Sequence, residues 1–527
     1  MIAPAATGRR VRPGLLVMAI ALVVSLPSVV YPLGWDQATY GYYGEEILRG
    51  LAPYRDFWEI NAPGNFFLYT AALALLGSTP AAITLLGLAE TLATTGLLYR
   101  FTQRLLTTRH AVVAALLYAF TAAFGFDYWG REEPENLIGL LLVVALLLVQ
   151  RGDTSPGFRL PSWWLAGVLC AAALLTKPTG GVVVLTLMAY RMYARPLNRS
   201  ALVAELMACA TGFAIVLGIA LTYLAVSGAL PYMVDQVLQY NTRYVGSSYG
   251  LTPGVFVNRA LTRSFLDVGP LPALALLGVV AKARDWTGVS RASWFVLVWA
   301  ALSMLTVAVQ GFRHHYHFAL VTPALAVVAA SFLVSVDWPG LLRPRVTRIS
   351  LAFVFAIYFS AFFFIYPQRF TGFALAPVHA LGGMSTSDYH ELFTGDGHYT
   401  AGRSELAAYL TCHTAAGTSV YITGEPAGYF LAHVQSPTRY YHEVPLAFSV
   451  DPEALLARYV DNLTARPPNY VAFYDSPLRE YLSQRERIES ALGPLLASEF
   501  VLEKQSGDMR IYRNRAVPEV TSTRCGE

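Results

Sequence analysis

Eleven apolar runs, separated by short polar loops, fill the first 366 residues, and a chain built this way folds in lipid. The runs lie near 14–33, 80–99, 111–126, 137–150, 160–176, 178–193, 201–226, 266–281, 292–310, 318–335 and 349–366. Several are shorter than the roughly 20 residues that a straight span needs, so their neighbours must thin the bilayer or enclose a cavity there. With 55% hydrophobic and 14% charged residues, a soluble domain is excluded for this part. Lys and Arg are scattered singly and the net charge is only +4, which leaves nucleic-acid binding without support. The expected fold class is a polytopic α-helical membrane protein of about eleven transmembrane helices, followed by a C-terminal α/β domain.

Orientation follows from the basic residues, because short loops rich in Lys and Arg stay in the cytoplasm. Arg9, Arg10 and Arg12 precede the first run, which reads as an uncleaved signal anchor. The segment 64–77 (GNFFLYTAALALLG) is too short for a span and reads as an interfacial helix. On that topology the inner segments carry 17 Lys and Arg and the outer loops 8, whereas counting 64–77 as a span would invert the bias. The N-terminus is then cytoplasmic, the cytoplasmic membrane is the location, and everything after Tyr366 is extracytoplasmic. This divides the chain into a membrane module, 1–366, with a first outer loop at 34–79, and an extracytoplasmic domain, 367–527.

The most polar outer stretch is 34–64 (GWDQATYGYYGEEILRGLAPYRDFWEINAPG). Asp36 opens a helical pattern in which Tyr40, Tyr43 and Ile47 recur on one face, with Glu45, Glu46 and Arg49 turned elsewhere, until Gly50 and Pro53 stop it. This places a carboxylate at the membrane surface between two surface helices. A second outer loop, DYWGREEPEN at 127–136, either is a solvated loop that caps the next helix or brings Glu133 or Glu135 into a cavity with Asp36. These residues leave a divalent metal between them open. Lys177, in TKPTG, is the first lysine of the chain and lies at membrane depth, either snorkelling from a helix end or serving a site. Near 311, GFRHHYHF brings Arg313, His314, His315, Tyr316 and His317 to the outer end of a run. With no acidic residue beside it in sequence, this cluster suits a phosphate better than zinc.

After Tyr366 the apolar runs shrink to strand length at 419–425, 438–444, 469–475, 499–505 and 509–514, with helical patterns near 403–412 and 451–465. That length is enough for an independent core. Asn462-Leu-Thr matches a glycosylation acceptor but sits on an expected helix. Cys170 and Cys209 lie in apolar runs; Cys412 and Cys525 read as two free thiols, with a disulfide left open.

An N-terminal anchor, Asp36 with Tyr40, PYRDFW leading to a Pro-Gly-aromatic surface helix, an acidic second outer loop, a TKP turn and HYHF resemble the bacterial branch of the GT-C glycosyltransferases. These enzymes are related to protein O-mannosyltransferases and lipid A aminoarabinose transferases. The resemblance implies a polyprenyl-phosphate-linked sugar donor and a glycan, lipid or protein acceptor. It also implies inverting transfer at the outer membrane face, with Asp36 as general base and Glu135 or Glu133 as the second acidic residue. Arg55, Lys177, Arg313 and His315 are the candidates to hold the donor phosphate, and Tyr40, Tyr43 and Tyr316 to line the cavity. Two positions depart from the family pattern: Gln37, where many relatives have Glu, and Asn61-Ala62-Pro63-Gly64, which lacks the usual Lys. The competing readings are a polysaccharide polymerase or ligase and a lipid-linked sugar flippase; the flippase lacks the internal repeats that transporters show.

Overall fold

The computed structural model describes residues 12–518 apart from 126–130, 197, 244–245, 247–251, 283–288, 313, 366, 394–400, 448, 475–478 and 508. Each apolar run becomes a helix. In the first half these are α1 (Pro13–Ser25), α2 (Trp35–Leu48), α3 (Gly64–Leu76), α4 (Pro80–Leu105), α5 (Thr108–Phe124), α6 (Pro134–Thr154), α7 (Arg159–Thr176), α8 (Val182–Ala194) and α9 (Arg199–Val226). Later apolar helices run over Pro270–Lys282, Arg291–Val309, Thr322–Leu333 and Arg345–Ile365. Among the described residues, seven helices are long and apolar enough to cross a membrane, or eight if the bent pair Pro253–Leu266 and Pro270–Lys282 is one span. The remaining runs form shorter helices, so the protein is a multi-pass membrane protein whose short helices sit among longer ones. The α3 helix has 13 residues, about 20 Å at the α-helical rise, less than the hydrocarbon thickness.

Proline sets the local geometry at two loop ends. Glu133 precedes Pro134 and Lys177 precedes Pro178; each is extended, with φ −77° and ψ 156° at Glu133 and φ −159° and ψ 145° at Lys177. A residue before proline is driven out of the α region, so both side chains leave their helix axes at a fixed point. Gly64 lets α3 approach the end of α7, since a Cβ there would lie 2.9 Å from the Leu175 carbonyl.

The C-terminal half holds four strands, β1 (Val420–Thr423), β2 (Tyr470–Phe473), β3 (Phe500–Ser506) and β4 (Met509–Asn514), in the order β1-β2-β4-β3. β1 and β2 are parallel and the other pairs antiparallel. Helices Ala401–His413 and Pro452–Ala465 fall where the sequence predicts them. The expected strand at 438–444 is absent. Its polar backbone is taken up instead by the first outer loop: Trp58 N donates to the Arg439 carbonyl at 3.0 Å, and the Arg439 guanidinium donates to the Tyr54 carbonyl. Cys412 is half of a disulfide whose partner lies outside the described residues, which corrects the expectation of a free thiol there. Cys170 and Cys209 are free and buried.

Alternation along the strands gives the sheet two packed faces. Tyr421, Val471 and Phe473 face a core of the domain's own, with Tyr459, Leu463, Ile488 and Leu492. Val420, Ile422, Tyr470, Ala472 and Ile511 join Tyr40, Tyr43, Phe57, Phe66 and Tyr69 in a continuous core with α2 and α3. For that reason α2 is not the surface helix that its sequence suggests: Gln37 through Glu46 are buried. Glu45 and Glu46, expected to point away, are enclosed and paired, Glu45 with His433 Nδ1 at 2.7 Å and Glu46 with Arg49.

Candidate active site

Asp36 occupies the first turn of α2, at the positive end of the helix dipole. It is partly accessible, with protein packed closely around it. Burial pushes its pKa up to about 7, the Glu59 charge adds to the rise, the Lys177 cation opposes it, and a hydrogen bond with Glu133 also lowers it. Glu133 is raised well above the ordinary carboxylate range, first by burial and then by the charges of Asp36 and Glu135. Each charge raises the other, so the two carboxyls titrate as one pair.

The second acidic loop closes over this pair. Gln37 Nε2 donates to Glu133 Oε1 at 3.0 Å and to the Arg131 carbonyl at 2.5 Å. A glutamate at position 37 would place another anion against Glu133, so the departure from the family pattern is accommodated by a donor. Glu135, fully buried in the first turn of α6, receives Lys177 Nζ at Oε1, 2.5 Å away, while its buried Oε2 has no hydrogen-bond partner among the described residues. His317 Nε2 lies 3.9 Å from the same Oε1. The histidine cluster therefore has an acidic neighbour in space that it lacks in sequence. Tyr316 lays its ring 5.9 Å from Lys177 Nζ, and the buried His315 starts the same short turn, His315–Leu320.

Asp36, Glu133, Glu135, Lys177, Tyr40 and Tyr316 are thus brought to one place, with His315 on the adjoining turn. Arg55 is not among them. It is exposed, forks onto Asp56 at 2.7 and 2.8 Å, and donates to the Ser227 carbonyl at 2.6 Å, tying the outer loop to the end of α9. Arg313 lies outside the described residues, as do residues 127–130 of the acidic loop. Tyr43 is buried in the aromatic core, stacked on Phe57 at 4.8 Å, and donates its hydroxyl to Glu59.

Sequence reasoning missed Glu59. Its Oε1 accepts from Ile60 N, Asn61 N and Asn61 Nδ2, each at 2.7 Å, and Oε2 accepts from Tyr43. Burial raises its pKa to about 7 against those donors. The available signal was a lone Glu between Trp58 and Ile60, apolar neighbours that a solvated carboxylate seldom keeps. Among the described residues, no three His, Cys, Asp or Glu side chains are grouped to hold a metal ion.

Residues 61–245 match the family described as dolichyl-phosphate-mannose-protein mannosyltransferase. Among solved structures, the chain is similar to ArnT from Cupriavidus metallidurans bound to undecaprenyl phosphate, with 15% identity, a TM-score of 0.60, and 98% of this chain and 100% of that one covered. It is also similar to the Archaeoglobus fulgidus oligosaccharyltransferase tethered with an acceptor peptide, with 14% identity, a TM-score of 0.52, and 96% and 74% covered. No curated protein matches the chain in sequence.

Proposed function

On a chain that has the fold of the GT-C membrane glycosyltransferases, we propose transfer of a sugar from a polyprenyl-phosphate-linked donor to an acceptor hydroxyl, with Asp36 as general base. The observation that carries this reading is the grouping of a carboxylate, Asp36, with a cation, Lys177, within electrostatic reach of each other. The ArnT structure, bound to undecaprenyl phosphate, supports a lipid phosphate as the leaving group.

In this scheme the acceptor oxygen attacks the anomeric carbon as the bond from that carbon to the phosphate oxygen breaks. The bonding pair leaves on the lipid phosphate, and the hydroxyl proton passes to Asp36. A single displacement inverts the anomeric centre. A base whose pKa is near 7 suits this task better than an exposed carboxylate, and positioned proton transfer contributes about 10² to 10⁴ in rate. Glu133, hydrogen-bonded to Asp36, keeps it in place. Lys177 meets the charge that builds on the departing phosphate, where a low-dielectric site strengthens the attraction. Glu135 is a positioning residue that holds the ammonium. Transfer at the outer face of the cytoplasmic membrane agrees with the loop charge bias and with a disulfide at Cys412, a bond that persists in oxidising compartments.

The test is an assay on the purified full chain in detergent with labelled undecaprenyl-phosphate-linked sugars and a panel of acceptors. The expected result is release of undecaprenyl phosphate with a product of inverted anomeric configuration. Movement of intact donor across proteoliposomes, with no bond cleavage, would mark a flippase and overturn the reading.

A further inference from the structure

A second group of carboxylates lies outside the Asp36 site. Glu90, on α4, and Glu132, in the acidic loop, are each only 7% exposed, and both line a cavity with Thr91, Tyr118, Arg131 and Asn136. Among the described residues, no side-chain hydrogen bond or ion pair engages either carboxylate. The close approach is built in: a Cβ on Gly87, one turn before Glu90 on the same helix face, would fall 1.7 Å from Glu132 Oε1. The Glu132 carboxyl therefore rests on the backbone of α4, close to Glu90. Arg131, the cation of the described lining, donates to the Ala123 carbonyl at 2.6 Å with its guanidinium 5.2 Å from the Tyr31 ring centre, and its charge reaches Glu132 without forming an ion pair with it.

We propose that Glu90 and Glu132 form a binding site for one small hard cation, separate from the catalytic group. Two desolvated carboxylates without donors are costly unless a cation or a proton offsets them. The donors are oxygen atoms, with no histidine nitrogen or cysteine sulfur in the lining, which selects an ion of the sodium, magnesium or calcium kind. Such an ion also has a mechanical consequence. Glu132 is held at φ +56°, its carbonyl accepts from Tyr69 Oη at 2.8 Å, and it adjoins Glu133, so an ion here fixes the segment that carries the second carboxyl of the active site.

The experiment uses the full chain in detergent, stripped with chelator and desalted, then titrated separately with MgCl₂, CaCl₂ and NaCl by calorimetry and thermal unfolding. One of these ions binds with one-to-one stoichiometry and raises Tm. E90Q weakens that binding at least tenfold, G87A does so by displacing the Glu132 carboxyl, and E90D weakens it less than E90Q. Absence of binding by wild type to all three ions overturns the proposal, as does equal binding by wild type and E90Q. Because the readout is binding rather than transfer, the result is independent of the proposed reaction.

Discussion

Lys177 Nζ and Glu135 Oε1 stand 2.5 Å apart, joining the turn after α7 to the first turn of α6, with Glu135 fully buried and Lys177 18% exposed. Removing one partner of such a pair leaves an uncompensated buried charge, at a cost of about 3–5 kcal/mol. E135A therefore lowers Tm markedly, and K177Q lowers both Tm and turnover. The double variant E135Q/K177Q regains most of the stability and none of the turnover, because the phosphate still lacks its cation. Thermal unfolding and the transfer assay on the same preparations check this; full turnover in K177Q would remove Lys177 from the site.

A base that titrates at about 7 gives kcat/KM a rising acidic limb centred near that pH. Because Glu59 is the largest charge raising Asp36, E59Q moves the limb to lower pH. A limb that stays where it was in E59Q contradicts the coupling.

His433, at the end of the short helix Ala427–Ala432, pairs with Glu45 of α2, and the hydrogen bond to Glu45 raises its pKa. A histidine raised on folding adds stability that is complete below the unfolded value of about 6.5 and is lost as pH rises through the folded value. Hydrogen exchange in α2 thus accelerates as pH rises above about 6.5, beyond the intrinsic base-catalysed increase, and this excess disappears in H433A. The ring is partly exposed, so the effect is small.

G64A tests the approach of α3 to α7. The added Cβ must displace backbone at Leu175, two residues before Lys177. Turnover falls more than Tm, since the shift is felt first at the ammonium.

The helices were legible because a run of apolar residues bounded by Pro, such as Pro80 or Pro134, leaves little choice of structure in lipid. Glu133 and Lys177 were legible as site candidates because Glu133 belongs to a cluster of carboxylates in an outer loop and Lys177 is an ionisable residue at membrane depth; each precedes a proline that turns it out of its helix. The 438–444 segment misled because its alternation serves contacts with Tyr54 and Trp58, which are some 380 residues away in sequence and leave no local trace. The burial of Glu45 was hidden for the same reason, since its partner His433 lies far away in sequence. Arg55 was chosen for its charge alone, and its charge is spent on the adjacent Asp56.

The most direct measurement is transfer by D36N set against donor binding by the same protein. The amide keeps the shape of the carboxylate and loses its basicity. The account predicts that D36N binds undecaprenyl-phosphate-linked sugar within a few-fold of wild type while turnover falls by at least about 10²-fold. Turnover at the wild-type rate in a folded, donor-binding D36N protein would contradict Asp36 as the base.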